Sequence, residues 1–156
     1  GDMSATQPGG GSLNEAVQWG SGLSDAVRHP AVEACVLVVE DDHRICSLLT
    51  DALEDAGIEP RCVSSDREAY EALRSGERFG CMIVDVNLGT GTTGYDVARF
   101  ARVLDPQLAV IYVSGQTSEK SFKAFGVPGS LFLPKPFLPA ELLERVRILT
   151  GDIDTA

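Results

Sequence analysis

Four places in the sequence set a chemically capable side chain directly after an apolar run. Glu40, Asp41 and Asp42 follow Val36-Leu37-Val38-Val39, Asp85 follows Met82-Ile83-Val84, Ser114 follows Ile111-Tyr112-Val113, and Lys135 follows Leu131-Phe132-Leu133-Pro134. Carboxylates brought together repel and raise one another's pKa unless a cation offsets them, and hard oxygen ligands of this kind select Mg²⁺. Mg²⁺, the Lys135 ammonium and the Ser114 hydroxyl would together offset the charge of an incoming phosphoryl group, which leaves Asp85 as the nucleophile. Phosphoryl transfer depends mainly on positioning and charge stabilisation, so this small set suffices when a reactive phosphodonor is presented. Asp42 reads as the cap of the next helix.

The elements that must bring these residues together are legible in the periodicity. Val36 to Val39 is a β-branched run too short for a helix and reads as a buried strand. Ile45, Leu48, Leu49, Ala52, Leu53 and Ala56 then recur at helical spacing until Gly57 supplies a left-handed stop. The alternation repeats: a strand near 58–63, a helix over 66–74, a strand over 81–84, and a helix over 94–104 closed by Asp105-Pro106. A fourth strand over 108–113 is followed by a weakly helical stretch ending near Phe125. A fifth strand over 131–133 precedes a last helix from Pro139 to about Leu149, with Pro139 suited to the first turn. Such an α/β alternation predicts a doubly wound parallel sheet with helices on both faces and right-handed crossovers. Ligands in such sheets bind beyond the carboxyl ends of the strands, where the polar residues above fall.

Taken in order, VLVVEDD, MIVDVNLG, VIYVSGQ and LFLPKPF resemble the receiver domain of bacterial two-component response regulators, over about Cys35 to Leu149. The resemblance implies a flavodoxin-like sheet of order 2-1-3-4-5. It also implies a phosphorylation switch whose acceptor, Asp85, takes a phosphoryl group from a histidine kinase or histidine phosphotransfer protein and slowly loses it by hydrolysis. In that reading Asp41 binds Mg²⁺ directly, Glu40 acts through water, Asp85 is itself a ligand and Asn87 offers its backbone carbonyl. Ser114 is the switch hydroxyl, Lys135 the phosphate-binding lysine before a cis bond to Pro136, and Phe132 the aromatic that changes rotamer. The domain is then no enzyme beyond its own phosphoryl transfer and hydrolysis; its output is a change of protein partner, and a phosphorylation-dependent homodimer is one form this takes. The loop after Asp85 departs from the family: Gly89 stands where a proline is usual, and one extra residue precedes Gly94.

Other classes fit less well. A haloacid-dehalogenase-type aspartyl phosphatase carries a second acid two residues after its nucleophile and an acidic pair at the end, whereas position 87 is Asn and the acids come first. A degenerate receiver working only as a binding module would lack some of the site residues, and none is missing. The net charge of −10 over 156 residues opposes direct contact with nucleic acid or an anionic membrane surface. No apolar stretch approaches a bilayer span and no secretory leader is recognisable, so a cytoplasmic location is expected. Cys35, Cys46, Cys62 and Cys81 have no paired spacing and are expected to be free, mostly buried thiols; His29 and His43 are expected at the surface. Residues 1–34, with Gly9-Gly10-Gly11, a cloning-type Gly1-Asp2-Met3 and a helical spacing around Trp19 broken by Gly20 and Gly22, read as a flexible or partly helical tail. The receiver is expected over 35–150, with a short tail over 151–156.

Overall fold

The computed structural model describes residues 35–89, 91–115 and 119–151. The expectations for the tail around Trp19, for His29 and for residues 152–156 lie outside them. The described elements alternate strictly: β1 (Cys35–Val39), α1 (His43–Asp55), β2 (Pro60–Val63), α2 (Asp66–Arg74), β3 (Phe79–Asp85), α3 (Gly94–Leu104), β4 (Ala109–Ser114), α4 (Glu119–Phe125), β5 (Leu131–Pro134) and α5 (Pro139–Thr150). All strand pairs are parallel and the order is β2-β1-β3-β4-β5, as the resemblance implied.

Because both faces of the sheet are covered, successive residues on each strand enter opposite cores. Leu37, Val39, Met82, Val84, Val110 and Tyr112 pack with Ala69 and Ala72 of α2 and with Val97, Ala98 and Ala101 of α3. Val36, Val38, Cys81, Ile83, Ile111 and Val113 pack on the other face against Leu49 and Leu53 of α1 and Leu142 and Val146 of α5. The helix starts are set locally. Asp42 Oδ1 accepts the Arg44 N–H at 2.9 Å, and Thr93 and Asp96 form a reciprocal capping box on α3. In α5, Pro139 opens the first turn while Glu141 Oε1 accepts the Leu138 N–H. The poor helix former between Gln116 and Gly129 yields the seven-residue α4. No described helix is long and apolar enough to cross a membrane.

The cysteine expectation is corrected for one pair. Cys35 and Cys81 are buried free thiols, and burial pushes the Cys81 thiol up to about 12. Cys46 and Cys62 form a disulfide instead, with Cα atoms 6.4 Å apart. Spacing rules see neighbours in the chain, whereas this pair meets because α1 packs beside β2. With the partners separated by 16 positions in the sequence, reduction is expected to lower stability by roughly 3 kcal/mol through the entropy of the unfolded chain. Urea unfolding with and without reductant checks this.

Candidate functional site

The parallel register brings the four polar strand ends to one edge. β3 lies between β1 and β4, so Glu40, just past β1, and Ser114, closing β4, flank Asp85, the last residue of β3. The Lys135 N–H donates to the Ser114 carbonyl at 2.8 Å, which extends the β4–β5 ladder and turns Lys135 into the same edge; its bond to Pro136 is cis. Glu40, Asp85 and Ser114 are the buried polar side chains of the described core. They line a cleft of about 300 Å³ together with Asp41, Asp42, Asn87, Gly89, Gly115 and Lys135.

Charge is concentrated here in a dry place. Carboxylate oxygens of Glu40, Asp41 and Asp85 lie within 4.8 Å of one another. The Lys135 ammonium sits 2.8 Å from Asp85 Oδ2 and 3.1 Å from Glu40 Oε1. Asp85 Oδ1 accepts the Asn87 N–H at 2.9 Å, and Glu40 Oε2 accepts the Asp42 N–H at 3.2 Å. Burial, and then repulsion from Asp85, raise the Glu40 carboxyl to about 7, although Lys135 and the Asp42 N–H pull the other way. For Lys135, burial works against the ammonium but its contacts with the Asp85 and Glu40 carboxylates outweigh it, so its pKa is raised. One lysine therefore pairs with two of the three acids, Glu40 and Asp85, and Glu40 Oε1 is held by its ion pair without a well-formed hydrogen bond. A hard cation answers both features: it relieves the repulsion, and water bound to it can donate to the buried Glu40 oxygen. The donor set fits Mg²⁺.

Not every residue singled out from sequence converges. Phe132 does not line the cleft; it is half-buried and stacks on Phe122 of α4, with ring centroids 5.5 Å apart. Asp42 lines the cleft but spends its side chain on Arg44, as a cap should. Sequence reasoning took Gly94 only as a helix start, yet a Cβ there would lie 2.2 Å from the Asp85 carbonyl oxygen. It took Asp66 only as the start of α2, yet its carboxylate reaches the loop after Asp85. A glycine at a strand-to-helix junction was the one available signal for the first; nothing local announced the second.

Comparison with known proteins agrees with this geometry. Residues 36–147 match the family model described as response regulator receiver domain. The response regulator protein TodT of Pseudomonas putida is 31% identical over 126 residues, 78% of this chain and 53% of that protein, so the chain spans about half the length of the curated relatives it matches. A response regulator receiver protein from Sinorhizobium medicae superposes with a TM-score of 0.73 at 33% identity, over 77% of this chain and 97% of the other. The response regulator TrrA of Thermotoga maritima, solved in complex with Mg(2+)-BeF, superposes with a TM-score of 0.63 at 27% identity, over 74% and 98%. With an acidic cleft at the carboxyl edge of a sheet of this order and a match over most of its length, the chain belongs to the response regulator receiver domain family.

Proposed function

We propose that this chain is a phosphorylation-dependent signalling switch that accepts a phosphoryl group on Asp85 from a histidine kinase or histidine phosphotransfer protein, and loses it by slow self-catalysed hydrolysis. The observation that carries the reading is the position of Asp85: a buried carboxylate at the end of the central strand, 2.8 Å from a lysine and clustered with two further acids. Mg²⁺ held by Asp41, Asp85 and the Asn87 carbonyl, with Glu40 acting through water, would supply positive charge against the acids and the phosphoryl oxygens; the TrrA complex supports this choice of metal. One Asp85 oxygen forms the new bond to phosphorus while the bond from phosphorus to the donor's imidazole nitrogen breaks, and the imidazole regains a proton. Lys135, already beside Asp85, follows the negative charge onto the phosphoryl group. The Ser114 hydroxyl, at the same strand edge, donates to a phosphoryl oxygen and draws its loop inward, and the β4–α4–β5 surface that carries Phe132 repacks. The affected surface then selects a different downstream protein.

Incubation with acetyl phosphate and Mg²⁺ tests the reading, with intact mass as the readout. A gain of one phosphoryl group that disappears with EDTA is expected. Failure with both acetyl phosphate and a cognate donor would leave a phosphorylation-independent binding module. Lys135→Ala is expected to slow the gain by roughly 10- to 100-fold, because it removes the fixed cation that meets the transferring charge; a time course of intact mass measures this.

A further inference from the structure

We propose that Asp66 is a positioning residue for the acidic site: through Thr92 it latches the loop after Asp85 against the cleft, and so prolongs the life of the phosphoryl group. The inference rests on the phosphoacceptor reading of Asp85. The loop over 86–93 carries Gly89 where the family resemblance leads one to expect proline.

The neck of that loop is closed by backbone hydrogen bonds, one to β4 and one within the loop. The Val86 N–H donates to the Val113 carbonyl at 2.9 Å, and the Gly94 N–H donates to the Val86 carbonyl at 2.9 Å. Among the described residues, its far side is held from α2. Asp66 Oδ2 accepts both the Thr92 backbone N–H, at 3.0 Å, and the Thr92 hydroxyl, at 2.9 Å, across 26 residues of sequence. Since the Thr92 hydroxyl has a single proton and gives it to Asp66, the Tyr70 hydroxyl 3.1 Å away must be the donor to Thr92 Oγ1. Tyr70 in turn packs edge-on against Phe100 of α3, with centroids 5.1 Å apart. Asp66 also meets the loop at Gly91, where a Cβ would lie 2.7 Å from Oδ2 and where φ is +102°, so this approach needs glycine. The hydrogen bonds from Thr92 hold the Asp66 carboxyl below the usual carboxylate range, which keeps it an acceptor throughout the neutral range.

What the latch holds in place is the wall of the site. Asn87 and Gly89 line the cleft, and a Cβ on Gly89 would be 3.8 Å from Asp41 Oδ2, so the loop lies at contact distance from the acids. Hydrolysis needs a water oxygen to form a bond to phosphorus while the Asp85 carboxylate leaves and a water proton passes to solvent. A loop pinned at both neck and far side limits that water's approach and keeps the Asn87 backbone in register with Asp85. Once freed on the α2 side, the loop can lift.

The test loads wild type, Asp66→Ala, Thr92→Val and Thr92→Ser with acetyl phosphate and Mg²⁺, removes the donor and follows the decay by intact mass. Asp66→Ala and Thr92→Val are expected to lose the phosphoryl group about threefold faster or more, with unchanged thermal midpoints, while Thr92→Ser, which keeps both hydrogen bonds, decays like wild type. Decay of Asp66→Ala at the wild-type rate, or of Thr92→Ser at the Thr92→Val rate, overturns the proposal. Deuterium uptake of the 86–93 peptide in the unphosphorylated, metal-free protein is read alongside: faster uptake in Asp66→Ala supports the latch, and unchanged uptake overturns it. If wild type takes up no phosphoryl group from acetyl phosphate or from a cognate donor, the phosphoacceptor reading has failed by itself, and the deuterium uptake alone decides whether Asp66 holds the loop.

Discussion

Asp85→Asn is expected to abolish the gain of a phosphoryl group entirely while the domain stays folded. An amide oxygen is a poor nucleophile for phosphorus and offers no leaving carboxylate, so the loss is of the reaction itself and not of affinity. The fold is spared because the side chain is nearly isosteric and removes a charge from a crowded place. In the wild type, Asp85 is the largest source of charge repulsion on Glu40, whose carboxyl stands at about 7; removing that charge lets Glu40 fall back toward its ordinary range. The variant does lose one acceptor: Asp85 takes the Asn87 N–H on one oxygen and the Lys135 ammonium on the other, and an amide can serve only one of them. These two effects oppose each other, and a stability change within about 1 kcal/mol is expected. Intact mass and urea unfolding on the same sample separate them. Continued phosphorylation of a folded Asp85→Asn protein would move the acceptor to another acid, with Asp41 and Glu40 the first to map.

Gly94→Ala is expected to cost about 3 kcal/mol of stability and to impair the site as well. The added methyl would lie 2.2 Å from the Asp85 carbonyl oxygen, 2.9 Å from its carbon and 3.0 Å from the Val86 Cα. All three are backbone atoms, so no side-chain rotation relieves the contact. Either the first turn of α3 or the end of β3 must shift. α3 is tied down by its capping box and by Tyr95, Val97, Ala98 and Ala101 in the core, so the strain falls on Asp85 and on the hydrogen bond that closes the loop neck. Urea unfolding measures the loss, and titration with Mg²⁺ should show weaker binding in parallel. A change below about 1 kcal/mol would mean that α3 slides to accommodate the methyl, and that the close approach does not control where Asp85 sits.

Much of this was legible in the residues themselves. The apolar runs ending in Glu40, Asp85, Ser114 and Lys135 announced both the strands and the edge where they end, because a strand buried on both faces needs a continuous apolar segment. α4 was expected to be weak, and among the described residues it spans only seven, two of them the aromatics Phe122 and Phe125. Boundaries were less legible. β3 begins at Phe79, ahead of the expected start, because its pairing with Cys35 extends the ladder through Gly80, a residue of low strand propensity.

By itself, then, the sequence determined the alternation of elements, the doubly wound class and the identity of the clustered acids, hydroxyl and lysine. Each of these depends on local periodicity or on the residue that terminates an apolar run. Only the tertiary structure decided which distant residues meet: Cys46 with Cys62, Phe132 with Phe122, Asp66 with Thr92, and Gly94 with the Asp85 backbone. The physical reason is common to all four. Such contacts follow from how helices seat on the sheet and how loops fold back, to within an ångström, and neither spacing nor composition encodes a distance between segments that are separated in the chain.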